Sequence, residues 1–384
     1  LLFFFPILLG TFFQQLYNTI DSVIVGQFVG KEALAAVGGS SAQIVAFVVG
    51  FFTGLSSGAS VTIAQFFGAK DSRSANKGLH TAYAIAAFGG LILTVSGIIL
   101  TPFLLEMMNT PADIVADSAV YLRIYFAGII FVLIYNMGSA ILRATGDSKR
   151  PLYYLIVCCI INIVLDVLFV IVFHMGVMGV AVATLIAQAV SAVLVTLKLM
   201  RSEGILKLSV KQIRFHGSIL KMQLKLGLPT GFEAILFSIT NIAIQSAVNT
   251  FGTDTTAAWS AYGKLDAIFW MVSTAFGIAI TTFVGQNYGA GKMDRVRKST
   301  RVCLLMDFIV SAVLVVFLIA ARFLLFRLFT NDSHVIEIGC DMLVLITPWY
   351  IVYVFIEVIA GALRGVGNVV VPVAITLLGV CVLR

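Results

Sequence analysis

The sequence predicts an all-α, polytopic membrane protein built as two pseudo-symmetric six-helix bundles. Three observations carry that expectation. Hydrophobic residues make up 60% of the 384 residues, charged residues only 11%, and the mean hydropathy is +1.05. A soluble domain carries about 25% charged residues, so this chain cannot cover a water-facing surface and lipid must cover it. The apolar residues fall into long runs, each near the ~20 residues that cross a bilayer as a helix. Finally, the chain repeats itself at an offset of 221 residues.

Between clusters of charge, glycine and proline, the runs lie near 1–25, 42–66, 79–104, 117–141, 151–173 and 177–199. A second set lies near 220–250, 256–288, 298–328, 334–362 and 369–384. Transmembrane barrel strands are alternating segments of about 10 residues, which does not fit runs apolar on every face. The first run opens as LLFFFPILLG without Met or a basic segment, and it reads as a truncated first helix and not as a signal peptide. The eleventh has barely formed at Arg384, so a twelfth helix is expected beyond it. Cys158, Cys159, Cys303, Cys340 and Cys381 sit inside or beside the runs and read as packing residues, without a disulfide framework or metal site.

The basic residues set an orientation. Of 25 Lys and Arg, 19 follow runs 2, 4, 6, 8 and 10, whereas the odd loops hold only Lys31, Arg123, Arg322 and Arg327. Lys/Arg excess marks the cytoplasmic side. The N-terminus and the even loops are therefore expected in the cytoplasm, in a multi-pass protein of the plasma or inner membrane. The net charge of +7 reports this topology. No basic patch belongs to a soluble module, which argues against nucleic acid as a partner.

The repeat divides the chain into an N-lobe (1–200), a cytoplasmic linker (201–220) and a C-lobe (221–384). Gln65, Gly68 and Ala69 in AQFFGAK recur as Gln286, Gly289 and Ala290 in GQNYGAG. Leu142, Arg143, Gly146 and Pro151 in LRATGDSKRP recur as Leu363, Arg364, Gly367 and Pro372 in LRGVGNVVVP. Two residues further out of register, Pro6 and Asn18 match Pro229 and Asn241. The offset spans six runs, so both halves enter the membrane from the same side. Parallel repeats of this kind suit transporters whose two bundles rock about a central cavity.

A charge at a helix centre costs about 2.5–3.5 kcal/mol on insertion scales, which makes an intramembrane carboxylate a functional candidate. Six acids within the runs are the candidates: Asp21, Asp166, Glu233, Asp266, Asp307 and Glu357. Gln14, Tyr17, Asn18 and Asp21 are spaced to share one helix face. So are Asn162 with Asp166, and Thr184 with Gln188. At 1.5 Å per residue, Asp21, Asp166 and Thr184 lie about 8–12 Å below the outer ends of their helices and can meet at one depth. Two adjacent carboxylates share one proton, because like charges oppose double ionisation, and their hard oxygens also suit Na+. A buried hydrogen-bond network that only ties helices together is the alternative. Glu233 leads a stripe with Asn241, Gln245 and Asn249, and with Glu357 it reads either as cavity lining or as helix interface. Asp266 is expected to pair with Lys264 or Arg364, and Asp307 to lie near the cytoplasmic surface. Gly50, Gly54 and Gly58, followed by Thr62, read as close helix packing, and His174 and His334 as surface residues.

No nucleophile–base arrangement and no phosphate-binding Gly-Lys-Ser/Thr loop is present in the sequence, so neither an enzyme nor an ATP-driven machine is expected. No cofactor is expected beyond a coupling ion, H+ or Na+. A channel lacks its filter-like repeat.

At these motifs the chain resembles the multidrug and toxic compound extrusion (MATE) transporters of the MOP flippase superfamily. The matching segments are QQLYNTIDSVIVG, AQFFGAKD, LRATGDSKRP, NIVLDVLF, GVMGVAVAT, TTFVGQNYGAGKMDR and ALRGVGN, in order along nearly the whole chain. The resemblance implies twelve helices in two six-helix lobes, and an antiporter that expels organic cations or amphipathic toxins in exchange for protons or sodium. It implies as partners the lipid bilayer and a small amphipathic or cationic molecule, with the chain acting as a monomer. Asp21, Asn162, Asp166 and Thr184 match the first-lobe cation site of the DinF-like and archaeal-type branch. Gln14, Tyr17, Asn18, Gln188, Glu233, Asn241, Gln245 and Glu357 are the candidate cavity-lining residues. Pro6 stands where the family has a helix-bending proline. In the sodium-linked branch the second-lobe acids carry the ion, but Glu233 sits too close to Pro229 to match that pattern. Polysaccharide and lipid-linked oligosaccharide flippases share the architecture and are the alternative function.

The charge asymmetry makes one direct prediction. In a cysteine-free background, single cysteines at Ser72 and Ser209 resist an impermeant thiol reagent in intact cells, whereas Asp254→Cys reacts. The opposite labelling pattern overturns the orientation.

Overall fold

The computed structural model describes residues 2–330 and 332–382; the side chains of Asn249 and of residues 380–382 are outside that description. Cys381 and Arg384 therefore lie outside the described side chains. Every regular element among the described residues is helical. Contacts divide the chain into two compact units, Leu1–Ile235 (unit 1) and Leu236–Arg384 (unit 2).

In unit 1, α1 (Phe4–Phe28) is followed by α2 (Lys31–Gly38) and α3 (Ser40–Gly68), which share the second span. Helix α4 (Ser72–Met107) starts at Asp71, whose carboxylate accepts the Ser74 N–H at 3.0 Å. Such a side chain supplies one acceptor that the first turn lacks. Then come α5 (Val115–Ala144), α6 (Lys149–Asp166) and α7 (Gly176–Met200), with α6 prolonged by a π-helix over Val167–Val172. Helix α5 is the centre, packed along α3, α4 and α7, while α1 packs on α6 and α7. Helix α8 (Gly217–Asn249) crosses the boundary between the units.

In unit 2, α9 (Thr253–Gly289) packs against α10 (Met293–Ala320), α12 (Ser333–Ile346) and α13 (Tyr350–Gly365). A short α11 (Arg322–Arg327) precedes α12, and α14 (Val370–Thr376) follows α13. Pro348 removes a backbone donor, and the span from α12 to α13 narrows there to a 3-10 turn over Thr347–Trp349. Nine helices among the described residues are long and apolar enough to cross a membrane. Helix α1 is not one of them although it has 25 residues, because Gln14, Gln15, Asn18 and Asp21 dilute its hydropathy.

The sequence repeat returns as backbone geometry. Ala69 N–H bonds Gln65 O and Asp71 N–H bonds Phe66 O; Ala290 N–H bonds Gln286 O and Lys292 N–H bonds Asn287 O. Asp147 N–H reaches Leu142 O as Asn368 N–H reaches Leu363 O, each around a glycine in the left-handed region, Gly146 (φ 95) and Gly367 (φ 90). Only glycine adopts that conformation without penalty. Even a helix-to-helix bond repeats: Ser60 Oγ donates to Ala140 O at 3.2 Å, and Thr281 Oγ1 to Gly361 O at 2.9 Å.

The glycine stripe acts as the sequence implies. A Cβ on Gly54 would overlap Gly231, and one on Gly58 would overlap Gly227, so α3 and the first half of α8 meet backbone to backbone. Cys158, Cys159 and Cys340 are buried free thiols and Cys303 is half-buried, while His174 and His334 are exposed. Pro6 lies on α1, and Pro102 and Pro229 lie inside α4 and α8.

Residues 201–220 fold against the start of α4. Asn76 Nδ2 donates to Ile205 O (3.1 Å) and Lys207 O (3.0 Å), and Gln223 Nε2 donates to Gly78 O at 3.0 Å. His80 Nδ1 lies 2.8 Å from Asn76 O, and its Nε2 accepts the Ser209 N–H at 3.0 Å. His216 Nδ1 lies 3.1 Å from Thr81 Oγ1, and its Nε2 accepts from Arg214 Nε at 3.4 Å. The His216 ring uses one nitrogen as an acceptor, which requires its neutral form. Burial, together with Arg214 and Lys77, pushes the His216 imidazole below its ordinary range.

A group whose folded value is depressed binds its proton more readily in the released state. The attachment of the segment is therefore complete above about pH 6.5 and weakens as the pH falls through the lower, folded value. The protection factor of the His216 amide, with the intrinsic pH dependence of exchange removed, should fall several-fold on acidification. His216→Gln should flatten that dependence; an unchanged profile in the variant overturns the assignment.

Candidate functional site

Unit 1 brings together the four residues that the sequence singles out for cation binding. Asp21 lies on the buried edge of α1, Asn162 and Asp166 lie one turn apart on α6, and Thr184 lies in the first half of α7. Asp166 is 0% exposed and Asn162 1%, and Asp21 and Thr184 are buried. Thr184 Oγ1 donates to Asp21 Oδ2 at 3.5 Å and accepts from Asn162 Nδ2 at 3.5 Å. The Asp21 and Asp166 carboxyl groups lie against one another. Asp21 Oδ1, Asn162 Oδ1 and both Asp166 oxygens are buried without a hydrogen-bond partner among the described residues. Asp166 is also the last α-helical residue before the π-helix, a local widening often found at functional sites.

Two facing carboxylates are both acceptors and cannot bond each other. One proton between them supplies the missing donor. A monovalent cation would do the same through Asp21, Asp166, the Asn162 amide oxygen and the Thr184 hydroxyl oxygen. No cluster of three or more His, Cys, Asp or Glu that could hold a metal occurs among the described residues. Apolar residues close one side of the site: Ile24, Val25, Val37, Val170, Val177 and Val180 form a single buried cluster. One turn deeper, Gln188 Nε2 donates to Tyr17 Oη at 3.3 Å.

The α1 stripe does not share one environment. Tyr17 and Asp21 are buried, whereas Gln14 and Asn18 are exposed. The four residues cover too wide an arc for α6 and α7 to enclose. Tyr121 and Tyr125 on α5 are participants that the sequence reading missed. They stack at 6.2 Å between ring centres, and Tyr121 lies close to both Asp21 and Asp166. Their four-residue spacing within an apolar helix was the available signal.

The other acids fall elsewhere. Glu233 is buried in unit 1, one turn after Pro229; Asn241 is exposed and Gln245 half-buried in unit 2, and the Asn249 side chain is outside the description. Glu357 accepts from Tyr353 Oη at 3.2 Å and pairs with Arg364 at 3.6 Å. Asp266 accepts from Tyr350 and from Trp270 Nε1, the latter at 2.8 Å, and Lys264 is exposed. Arg364 lies two turns after Glu357 on the same face of α13. Asp307 lies fourteen residues into α10, about 21 Å along the axis, and is 0% exposed.

The chain matches the MatE family model over residues 6–168 and 229–384. It is similar to a probable multidrug resistance protein YoeA of Bacillus subtilis, at 30% identity over 99% of this chain and 83% of that protein. It is also similar to a probable multidrug resistance protein NorM of Thermotoga maritima, at 28% identity over 97% and 80%. Among solved structures, the fold is that of a multidrug resistance MATE family transporter of the MOP superfamily in an outward-facing conformation. That match has a TM-score of 0.92 and 23% identity, and covers 99% of this chain and 84% of that one. A MOP superfamily transporter from Pyrococcus furiosus, described as having a binding pocket of reverse polarity and a different function, matches with TM-score 0.92 and 22% identity over the same shares.

The Thr184 hydroxyl bridges α1, α6 and α7 at the acids. Thr184→Val should lower the stability of the solubilised protein by about 1 kcal/mol, the net worth of a buried hydrogen bond, and Thr184→Ser should restore it. Equal melting of all three forms would show that the bridge carries no stability.

Proposed function

The chain belongs to the MatE family of membrane transporters, and from that premise we propose that it is a secondary multidrug efflux antiporter. It exports organic cations or amphipathic toxins in exchange for H+ or Na+, from a plasma membrane in which its N-terminus is cytoplasmic. The observation that carries the coupling part is the Asp21–Asp166 pair, buried between three helices without a base beside it. The similarity to probable multidrug resistance proteins supports the drug-efflux part.

The ion acts through charge. Loading the pair with a proton or a monovalent cation removes net charge from a water-poor site and lets α1 pack against α6 and α7 without an uncompensated carboxylate. Unloading restores the charge and favours an arrangement of α1 that admits water. A substrate that prefers one of these arrangements is exchanged for the ion only to the extent that its affinity differs between them.

Asp21→Asn and Asp166→Asn should each leave insertion near normal, since an amide is cheaper to bury than a carboxylate. Each should abolish gradient-driven dye efflux from proteoliposomes, and the double variant should be little worse than either single one. Imposing first a pH gradient and then a sodium gradient identifies the ion. Efflux by Asp21→Asn at the wild-type rate per folded protein would refute the assignment. Translocation of a lipid-linked oligosaccharide, with no dye efflux under either gradient, would favour the flippase reading.

A further inference from the structure

Residues 207–225 of unit 1 carry five bases, Lys207, Lys211, Arg214, Lys221 and Lys225, and no acid. All five are exposed, and none is in an ion pair among the described residues. A basic stretch is ordinarily only a solvated face, but this one is fastened to α4 at a defined height. His80 Nε2 and Thr81 Oγ1 accept from the Ser209 and His216 N–H groups. The Phe215 ring meets the Phe88 ring of α4 edge-on, with 5.9 Å between centres.

Phe88 marks where lipid begins. It is the first large apolar side chain of α4 to be exposed, and Leu91, Ile92, Val95 and Ile99 continue the exposed face toward Met107. From Phe88 to Met107 the helix rises about 29 Å, the thickness of a hydrocarbon core, about 30 Å. Phe215, which is 46% exposed, therefore sits at one edge of that core, and the charged, exposed Arg214 beside it belongs to the headgroup level. Arg214 donates its Nε–H to His216, and Lys77 lies near the same ring. Burial, then the charges of Arg214 and Lys77, disfavour a proton on that imidazole, and no acid is among the charges acting on it. Two bases thus converge at one level beside an exposed aromatic ring.

We propose that Lys77 and Arg214, with Phe215 beside them, form a docking surface for anionic phospholipid. A headgroup phosphate lies at the two bases while Phe215 and Phe88 rest among the upper acyl carbons. Lys211 and Lys221, on either side in the chain, add to the local positive field. Charge complementarity selects lipid as the occupant. An anionic leaflet attracts clustered Lys and Arg within a Debye length, and an apolar ring at the boundary keeps contact with the acyl chains. Zwitterionic lipid offers the same chains without the net charge. A bound headgroup holds residues 207–216 against α4. This surface takes no part in the exchange proposed for Asp21 and Asp166. Which leaflet it meets follows from the orientation proposed above, but the docking itself does not.

Hydrogen exchange of the full chain in lipid nanodiscs tests it. Both leaflets of a disc have the same composition, so the outcome is independent of orientation. At mildly alkaline pH, where His216 stays neutral, and at low salt, the amides of residues 207–216 should be several-fold better protected in discs of equal parts phosphatidylglycerol and phosphatidylcholine than in phosphatidylcholine alone. Peptides of the central α5 serve as the internal reference, and high salt should remove the difference. Lys77→Gln combined with Arg214→Gln should abolish it without lowering the melting temperature in phosphatidylcholine. If that pair loosens the attachment to α4, two single variants decide: Arg214→Lys should keep the difference and Arg214→Glu should lose it. Equal protection in the two lipids, or a difference that survives both the double variant and Arg214→Glu, overturns the proposal. An equal gain in phosphatidylcholine discs on adding inorganic phosphate or a soluble acidic peptide overturns lipid as the occupant.

Discussion

Water is absent from the hydrocarbon region, so a polar side chain there must find its partners within the protein, and Asp166 finds no hydrogen-bond donor among the described residues. Much of the local architecture of unit 1 follows from that. Helices α1, α6 and α7 have to converge for Asp21, Asn162 and Thr184 to surround the carboxyl group. The α-helix gives way to a π-helix immediately after Asp166, and the cluster around Val25 and Val180 keeps water from one side. The modest hydropathy of α1 has the same origin. A helix that must supply Tyr17 and Asp21 to a buried face, and carry Gln14 and Asn18 beside them, cannot be as apolar as its neighbours.

The frame was legible in the sequence because turn chemistry is local. The residues repeated at the offset of 221 are those that end one helix and start the next. Gly146 and Gly367 are required by a left-handed backbone, and the bonds from residues 71 and 292 reproduce each other. The cation candidates were legible for a related reason: spacing along a helix fixes which side chains share a face. Legibility stopped where the partner lies on another helix. Asp266 accepts from Tyr350 and Trp270, and nothing in the α9 sequence announces which ring of α13 faces it. Tyr121 and Tyr125 were overlooked because aromatic residues are common in every span.

The two halves share a backbone plan but not a charge plan. The hydroxyl bridge of Ser60 to Ala140 has its counterpart in Thr281 to Gly361, and Arg143 corresponds to Arg364. At the same offset, however, Ala86 stands where unit 2 has Asp307, and Asn136 where it has Glu357. Conversely, Asp21 falls opposite Ile244 at the offset that aligns Pro6 with Pro229. Duplication thus kept the residues that shape turns and helix contacts and let the ionisable ones diverge.

That divergence has a physical consequence for charge neutrality. In unit 1 the acids face each other with no base between them, so removing their proton or cation leaves the full repulsion of two like charges in a low dielectric. In unit 2 Glu357 pairs with Arg364 at 3.6 Å. The first arrangement holds its ion against a steeper electrostatic cost and changes more when the ion leaves, which suits a site whose loading must move a helix. In the second the carboxylate of Glu357 has an arginine beside it and needs no loaded ion to offset its charge.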